Sequence, residues 1–280
     1  MTTRLIDRVR EAERKRRELH DRNEKLKEDM RRSQIWEKAC LDAASTGGEL
    51  NMYNQKDFDY IDPIVYSFKE TFGCNLIALR LGGIGLTHVP EEFCKHMYKL
   101  ELLNLANNRL TMIPDEIVTF SNLVDLNLTS NQLVSLPDRL GLMCSLSKLE
   151  LCSNKLESLP VTFGGLSNLE KMDLECNNLT VLPENLNNLL ACNTVNVNNN
   201  QLIRLPKSFG RMPSLTCLSA AKNQITYIPQ QLSLCITLKI LRLGCNQIPF
   251  LPDAIGDLKR LTEICVDYND LRSLPVNFYK

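Results

Sequence analysis

Nine of the twelve prolines fall at positions 90, 114, 137, 160, 183, 206, 229, 252 and 275, one step of 24 residues followed by seven of 23. Self-similarity at a fixed period of this size means an array of stacked units, each too small to bury its own apolar face. Behind the prolines lies the frame L-x-x-L-x-L-x-x-N-x-L-x-x-L-P. It is clearest at Leu123, Leu126, Leu128, Asn131, Leu133, Leu136 and Pro137, and again at Leu146, Leu149, Leu151, Asn154, Leu156, Leu159 and Pro160. Other units swap in apolar residues of similar size: Met172, then Cys192, Val195 and Val197, then Ala220 and Ile225, then Ile264 and Val266.

The x-L-x-L-x core of each unit alternates with period two, so it reads as one short strand with its leucines pointing inward. Neighbouring units then stack their strands into a parallel sheet. The asparagines at 108, 131, 154, 177, 200, 223, 246 and 269 sit where the chain leaves the strand, and a buried amide there can bond backbone groups of adjacent coils. Three residues past each proline comes an apolar residue (Ile117, Leu140, Phe163, Leu186, Phe209, Leu232, Ile255, Phe278), with glycine at 141, 164, 210 and 256. About ten residues are available there, which predicts short helical or 3₁₀ turns on the convex side. The first unit is atypical, with Ile84 in the asparagine place among Gly82, Gly83 and Gly85. Residues 49 to 75, rich in Phe58, Tyr60, Ile61, Ile64, Val65, Tyr66, Phe68 and Phe72, are expected to cap the open end, with a short helix from Pro63. The frame stops at Lys280 without a polar capping segment, so the other edge is expected to need further chain or a partner.

The 23-residue unit with L-P, then x-x-I/L/F before a glycine, resembles the intracellular Ras-group leucine-rich repeat proteins, which include Scribble and Erbin type scaffolds and plant relatives. The resemblance covers Leu76 to Phe278. It implies an α/β leucine-rich repeat solenoid, curved, with a parallel sheet on the concave face. It also implies a cytoplasmic adaptor that binds protein there, sometimes a small GTPase or phosphatase. The expected organisation is a charged helix over 1–46, a cap over 47–75 and nine repeats over 76–280.

Charge sets the N-terminal stretch apart. The chain carries 33 basic and 33 acidic residues, but residues 1 to 38 hold 13 basic against 9 acidic, leaving 20 against 24 for the rest. Global balance provides no field toward nucleic acid or anionic membrane. Arg4, Asp7, Arg8 and Arg10 occupy the place of a signal peptide's apolar core, and no eighteen apolar residues run together. Eleven cysteines without a CxxC pair, beside His20, His88 and His96 alone, fit reduced thiols in a cytosolic compartment. By the same reasoning the sequons at Asn127 and Asn178 are coincidences of the frame.

Chemistry finds no foothold. There is no GxxxxGK[ST], and Gly82, Gly83 and Gly85 lack the strand and helix that a phosphate loop needs. His88 and His96 flank Cys94 without a second nearby cysteine, so no metal is expected. Cys152, Cys176 and Cys245 have no adjacent base. Glu150 with Asp173 or Glu175 is brought together by the repeats, but a shallow sheet is expected to desolvate them little. No catalytic residue and no cofactor are expected.

Function is then expected on two surfaces. One is the concave face: Asp125, Asn127, Lys148, Glu150, Lys171, Asp173, Glu175, Asn196, Asn198, Arg242 and Tyr268, acidic in the middle and suited to a basic protein segment. The other is the N-terminal helix, mobile beyond a hinge at Ser45 to Glu49, whose Leu5, Val9, Ala12, Leu19, Leu26 and Met30 keep 3-4 spacing broken by Arg16 and Asn23. Trp36 is its expected anchor, and a coiled coil or a helix partner its expected mate. These features read as a non-enzymatic intracellular scaffold that binds protein, with no nucleic acid and no membrane insertion. The alternatives are a structural component of a cytoskeletal or ciliary (axonemal) assembly and a regulator of a small GTPase pathway in signalling.

Overall fold

The computed structural model describes residues 2–55, 58, 60–62, 65 and 76–275, with helix side chains described from Glu11 onward apart from Ala12. Helix α1 (Thr2–Ser45) leads into strand β1 (Glu49–Asn51) and then β2 (Ala78–Arg80). A short helix α2 (Glu91–His96) follows, and then β3 (Leu102–Asn104), β4 (Asp125–Asn127), β5 (Lys148–Glu150) and β6 (Lys171–Asp173). The last strands are β7 (Thr194–Asn196), β8 (Cys217–Ser219), β9 (Ile240–Arg242) and β10 (Glu263–Cys265). All ten form one curved parallel sheet in sequence order.

Register explains the frame. Leu79, Leu103, Leu126, Leu149, Met172, Val195, Leu218, Leu241 and Ile264 stand opposite one another across successive strands. Each strand therefore adds its central apolar residue to one continuous column. Between strands the chain crosses the convex side as 3₁₀ turns, such as Val161–Gly165 and Lys207–Arg211, as the spacing predicts. These turns lie so close that a methyl group on Gly210 would collide with the carbonyl oxygen of Gln231. Phe93, Phe120, Phe163 and Phe209 are fully buried beneath them.

One backbone device was hidden in the sequence. Asn107, Ser130, Ser153, Cys176, Asn199, Lys222, Cys245 and Tyr268, each just before a ladder asparagine, are left-handed with φ between 52° and 56°. The turn lets the N–H of the first seven reach the next coil, as in Ser153 N–H to Glu175 O at 2.8 Å. The ladder itself runs between coils. Asn154 Nδ2 donates to Leu128 O (2.9 Å) and Leu151 O (3.1 Å), while its Oδ1 accepts from Leu133 N–H (3.1 Å). The same triple recurs at Asn131, Asn177, Asn200, Asn223 and Asn246. Asn269 makes the same triple with Ile248 N–H, Leu243 O and Val266 O, and Asn108 donates to Leu81 O and Leu105 O while accepting from both Gly85 and Leu86 N–H.

The N-terminal end departs from the sequence reading in three ways. The cap supplies a strand of its own, β1, with Leu50 opposite Leu79, because the parallel edge of β2 needs a partner. And Trp36, expected to face a partner, is fully buried in the solenoid core with Cys40 and Ala43. Its ring meets Phe58 edge-on at 5.9 Å. The first coil has no preceding coil to cover it, and the last turns of α1 fill that place. The stretch read as a hinge is a hydrogen-bonded terminus: Gly48 N–H donates to Ala43 O (2.9 Å), with Gly47 and Gly48 at φ +83° and +91°. Phe58, Ile61 and Val65 join this core; Ile64, Tyr66, Phe68, Phe72 and the start of the short helix at Pro63 lie outside the described residues. No helix among the described residues is long and apolar enough to cross a membrane.

Candidate functional site: the concave face and the N-terminal helix

Strand residues on either side of the buried central column point into the concavity, and successive coils place them side by side at about 4.8 Å spacing. In the middle coils this creates one polar network. Lys148 Nζ lies 2.9 Å from Glu150 Oε1 and 3.5 Å from Asp125 Oδ2, and Glu150 also accepts a hydrogen bond from Asn127 Nδ2. The bond to Glu150 raises the pKa of Lys148. One coil further, Asn196 Nδ2 donates to Asp173 Oδ1 (3.2 Å) and Glu175 Oε2 (3.0 Å), and Asn199 Nδ2 to Glu175 Oε1 (2.9 Å).

Two halves of the acidic strip thus differ in kind. Asp125 and Glu150 share a lysine, whereas Asp173 and Glu175 are held by neutral amides and pair with no cation among the described residues. The face is less shallow than the sequence suggests, since burial by neighbouring coils is the main cause that pushes the Asp173 carboxyl above its ordinary range. Glu175 and Glu150 add like-charge repulsion, and hydrogen bonds from Glu175 N–H and Asn196 work against the shift. Burial likewise raises the Cys152 thiol. Ligand atoms of Cys152, Asp173 and Glu175 lie within 4.8 Å of one another, and both Glu175 oxygens are already engaged by asparagines.

The remaining concave residues are dispersed. Lys171 is exposed beside the strip, Asn198 Oδ1 accepts from Ala221 N–H (2.7 Å), and Arg242 forms a two-pronged pair with Glu263 (2.7 and 3.2 Å). Tyr268 is 81% exposed, in the left-handed turn after β10 and apart from the acidic coils. Sequence reading missed the pairings, although the signal was there: Asp125 to Lys148 and Asn127 to Glu150 are each one period of 23 apart. On α1, Leu19, Leu26 and Met30 are 58%, 54% and 65% exposed. Leu5 and Val9 belong to the helix span, but their side chains lie outside the described residues.

Residues 74–133 and 168–189 match two family models, each described as leucine rich repeat. The fold is a leucine-rich repeat solenoid. Among solved structures, the plant peptide hormone receptor RGFR1 in complex with RGF2 is similar at 26% identity, TM-score 0.68, over 80% of this chain and 35% of that one. The leucine-rich repeat ectodomain of the membrane receptor kinase GASSHO1/SCHENGEN3 from Arabidopsis thaliana, in complex with CASPARIAN STRIP INTEGRITY FACTOR 2, is similar at 30% identity and TM-score 0.67, over 79% and 28%. YopM from Yersinia enterocolitica is similar at 25% identity and TM-score 0.63, over 86% and 47%. The chain therefore spans less than half the length of each of these three structures. No curated protein matches it significantly. Leucine-rich repeat proteins generally mediate protein–protein interaction.

Proposed function

We propose that the chain is a non-enzymatic scaffold of the cytoplasm that holds protein partners on its concave face and by its N-terminal helix. The observation that carries the concave half is the pair Asp173 and Glu175: two carboxylates without a cationic partner among the described residues, fixed by Asn196 and Asn199 on a rigid sheet. Preorganised acids of this kind suit a basic segment, whose approach costs the site no rearrangement. The complexes named for the two plant receptors, one of them a peptide hormone receptor, support a protein or peptide as the ligand class. The helix half rests on apolar side chains that stay exposed in a helix anchored only at its end.

Quantitative affinity capture tests both halves, using the full chain, a chain without residues 2–28, and the triple variant Glu150→Lys, Asp173→Lys, Glu175→Lys. Residues 29–46 must stay because Trp36, Cys40 and Ala43 are core. The triple variant should keep its fold and lose partners with basic segments, and the truncation should lose a separate set. Retention of every partner by the triple variant would remove the concave site.

A further inference from the structure

We infer that the free seam of α1 pairs with the same seam of a second copy of this chain, in parallel and in register, so that the protein is a dimer with two solenoids at one end of a coiled coil. The inference rests on reading α1 as a partner-binding element and is independent of the concave face.

The helix has two apolar faces that serve different ends. One, carrying Trp36, Cys40 and Ala43, is inside the solenoid core. The other carries Leu19, Leu26 and Met30, all more than half exposed. At 3.6 residues per turn these three point about 80–120° around the axis from Trp36, so docking on the solenoid leaves them open. They belong to an unbroken 4-3 sequence of positions, 16, 19, 23, 26 and 30, which the sequence continues toward its start through Ala12, Val9 and Leu5. In heptad terms Leu5, Leu19 and Leu26 fall at d, and Arg16, Asn23 and Met30 at a.

Asn23 selects the occupant. An amide in an apolar seam needs a donor and an acceptor at its own level, and another amide provides both. A second copy in parallel register places Asn23 against Asn23, the arrangement by which one polar a position specifies a two-stranded coil. Arg16 has a stem long enough to lie along the seam with its charge in water. The flanks are nearly neutral in effect, with one opposed pair: Arg22 of one copy lies near Lys27 of the other. Glu24 of the same helix holds Lys27 at 2.8 Å and softens that repulsion. From residue 5 to residue 30 the seam runs about 39 Å at 1.5 Å per residue. With flanking residues it engages about sixteen residues a side, near the roughly 20–30 of a standard stable interface.

Sedimentation of the full chain at micromolar concentration should give twice the 31.9 kDa chain mass, and a single species at chain mass up to about 100 μM would overturn the proposal. Leu19→Glu with Leu26→Glu should yield monomers whose solenoid melts unchanged; a persistent dimer would place the contact elsewhere. Asn23→Cys should form a disulfide-linked dimer under mild oxidation that the unsubstituted chain does not form. A dimer that fails to cross-link there would overturn the parallel register. Lys27→Glu should tighten association roughly fivefold by making the flanking pair attractive, and unchanged or weaker association would also defeat that register. A monomer result would leave the affinity-capture outcome untouched, so the two readings fail separately.

Discussion

The central coils and helix α1 are stabilised in opposite ways. In the central coils the apolar strand residues stand opposite their equivalents one period away on both sides, and Asn154 bonds backbone groups of the preceding coil, so each unit is held by its neighbours. The helix is anchored near its C-terminal end, where Trp36 closes the first coil, and residues 11 and 13–28 are exposed, tied mainly by pairs such as Lys15 with Glu11 and Lys27 with Glu24. Exposed pairs of that kind add little stability because water and salt screen them. Redundancy protects the coils, and a single anchor carries the helix.

Changes that break this contrast can be ranked. Leu151→Asp should have the largest effect, because it places a charge in a column with no polar partner, and the central coils should lose their cooperative melt. An unchanged melting curve would contradict the stacked core. Trp36→Ala should cost about 3–5 kcal/mol in denaturant unfolding and expose the first coil, while Trp36→Phe should cost much less. The indole N–H is buried without a partner among the described residues, so its loss removes no hydrogen bond they supply. Equal penalties for the two would show that the ring is not the anchor. Asn154→Ala should cost about 1–3 kcal/mol, since it strands the buried Leu133 N–H, while the Leu128 and Leu151 carbonyls keep their bonds from Asn131 and Asn177. A loss below about 0.5 kcal/mol would mean that the ladder is ornament beside apolar stacking.

The smallest effect should be favourable. The Asp173 carboxyl titrates above its ordinary range, so its protonated form is the one the fold prefers. Its contribution to stability is fully present below the unfolded aspartate pKa, about 3.9, and is lost as pH rises through the higher folded value. Asp173→Asn should therefore raise the melting temperature slightly at pH 7 and have no effect near pH 3. A lower melting temperature at pH 7 would show that the carboxylate is needed in charged form.

Legibility followed period. The strands, the convex turns and the positions facing the concavity could be read because each repeats every 23 residues, and Leu126, Leu149 and Met172 do the same work in successive coils. The left-handed column could not: asparagine, serine, cysteine, lysine and tyrosine share no side-chain property that announces the turn. The role of Trp36 was hidden for a different reason. It is a single event without an equivalent elsewhere, and its mate, Phe58, is 22 residues away in a segment of no regular pattern. Beta strand β1 was missed likewise, since Leu50 lacks the flanking leucines of the frame. On the site, composition gave the acidic strip, while the division into a lysine-paired half and an amide-held half depends on which side chains reach across coils.

Neighbour-only contact also has a mechanical meaning. A chain gripped near Trp36 and near Leu271 is loaded along the stack, and among the described strands each pairs only with its neighbours in sequence. Under tension it should pay out a coil at a time, each step releasing roughly 80 Å of extended chain. Pulled singly, the molecule should show a regular sawtooth of that spacing, and one rupture of the whole array would contradict it. A solenoid of this construction is an extensible tether as well as a surface, yielding in measured lengths while the coils that remain keep their shape.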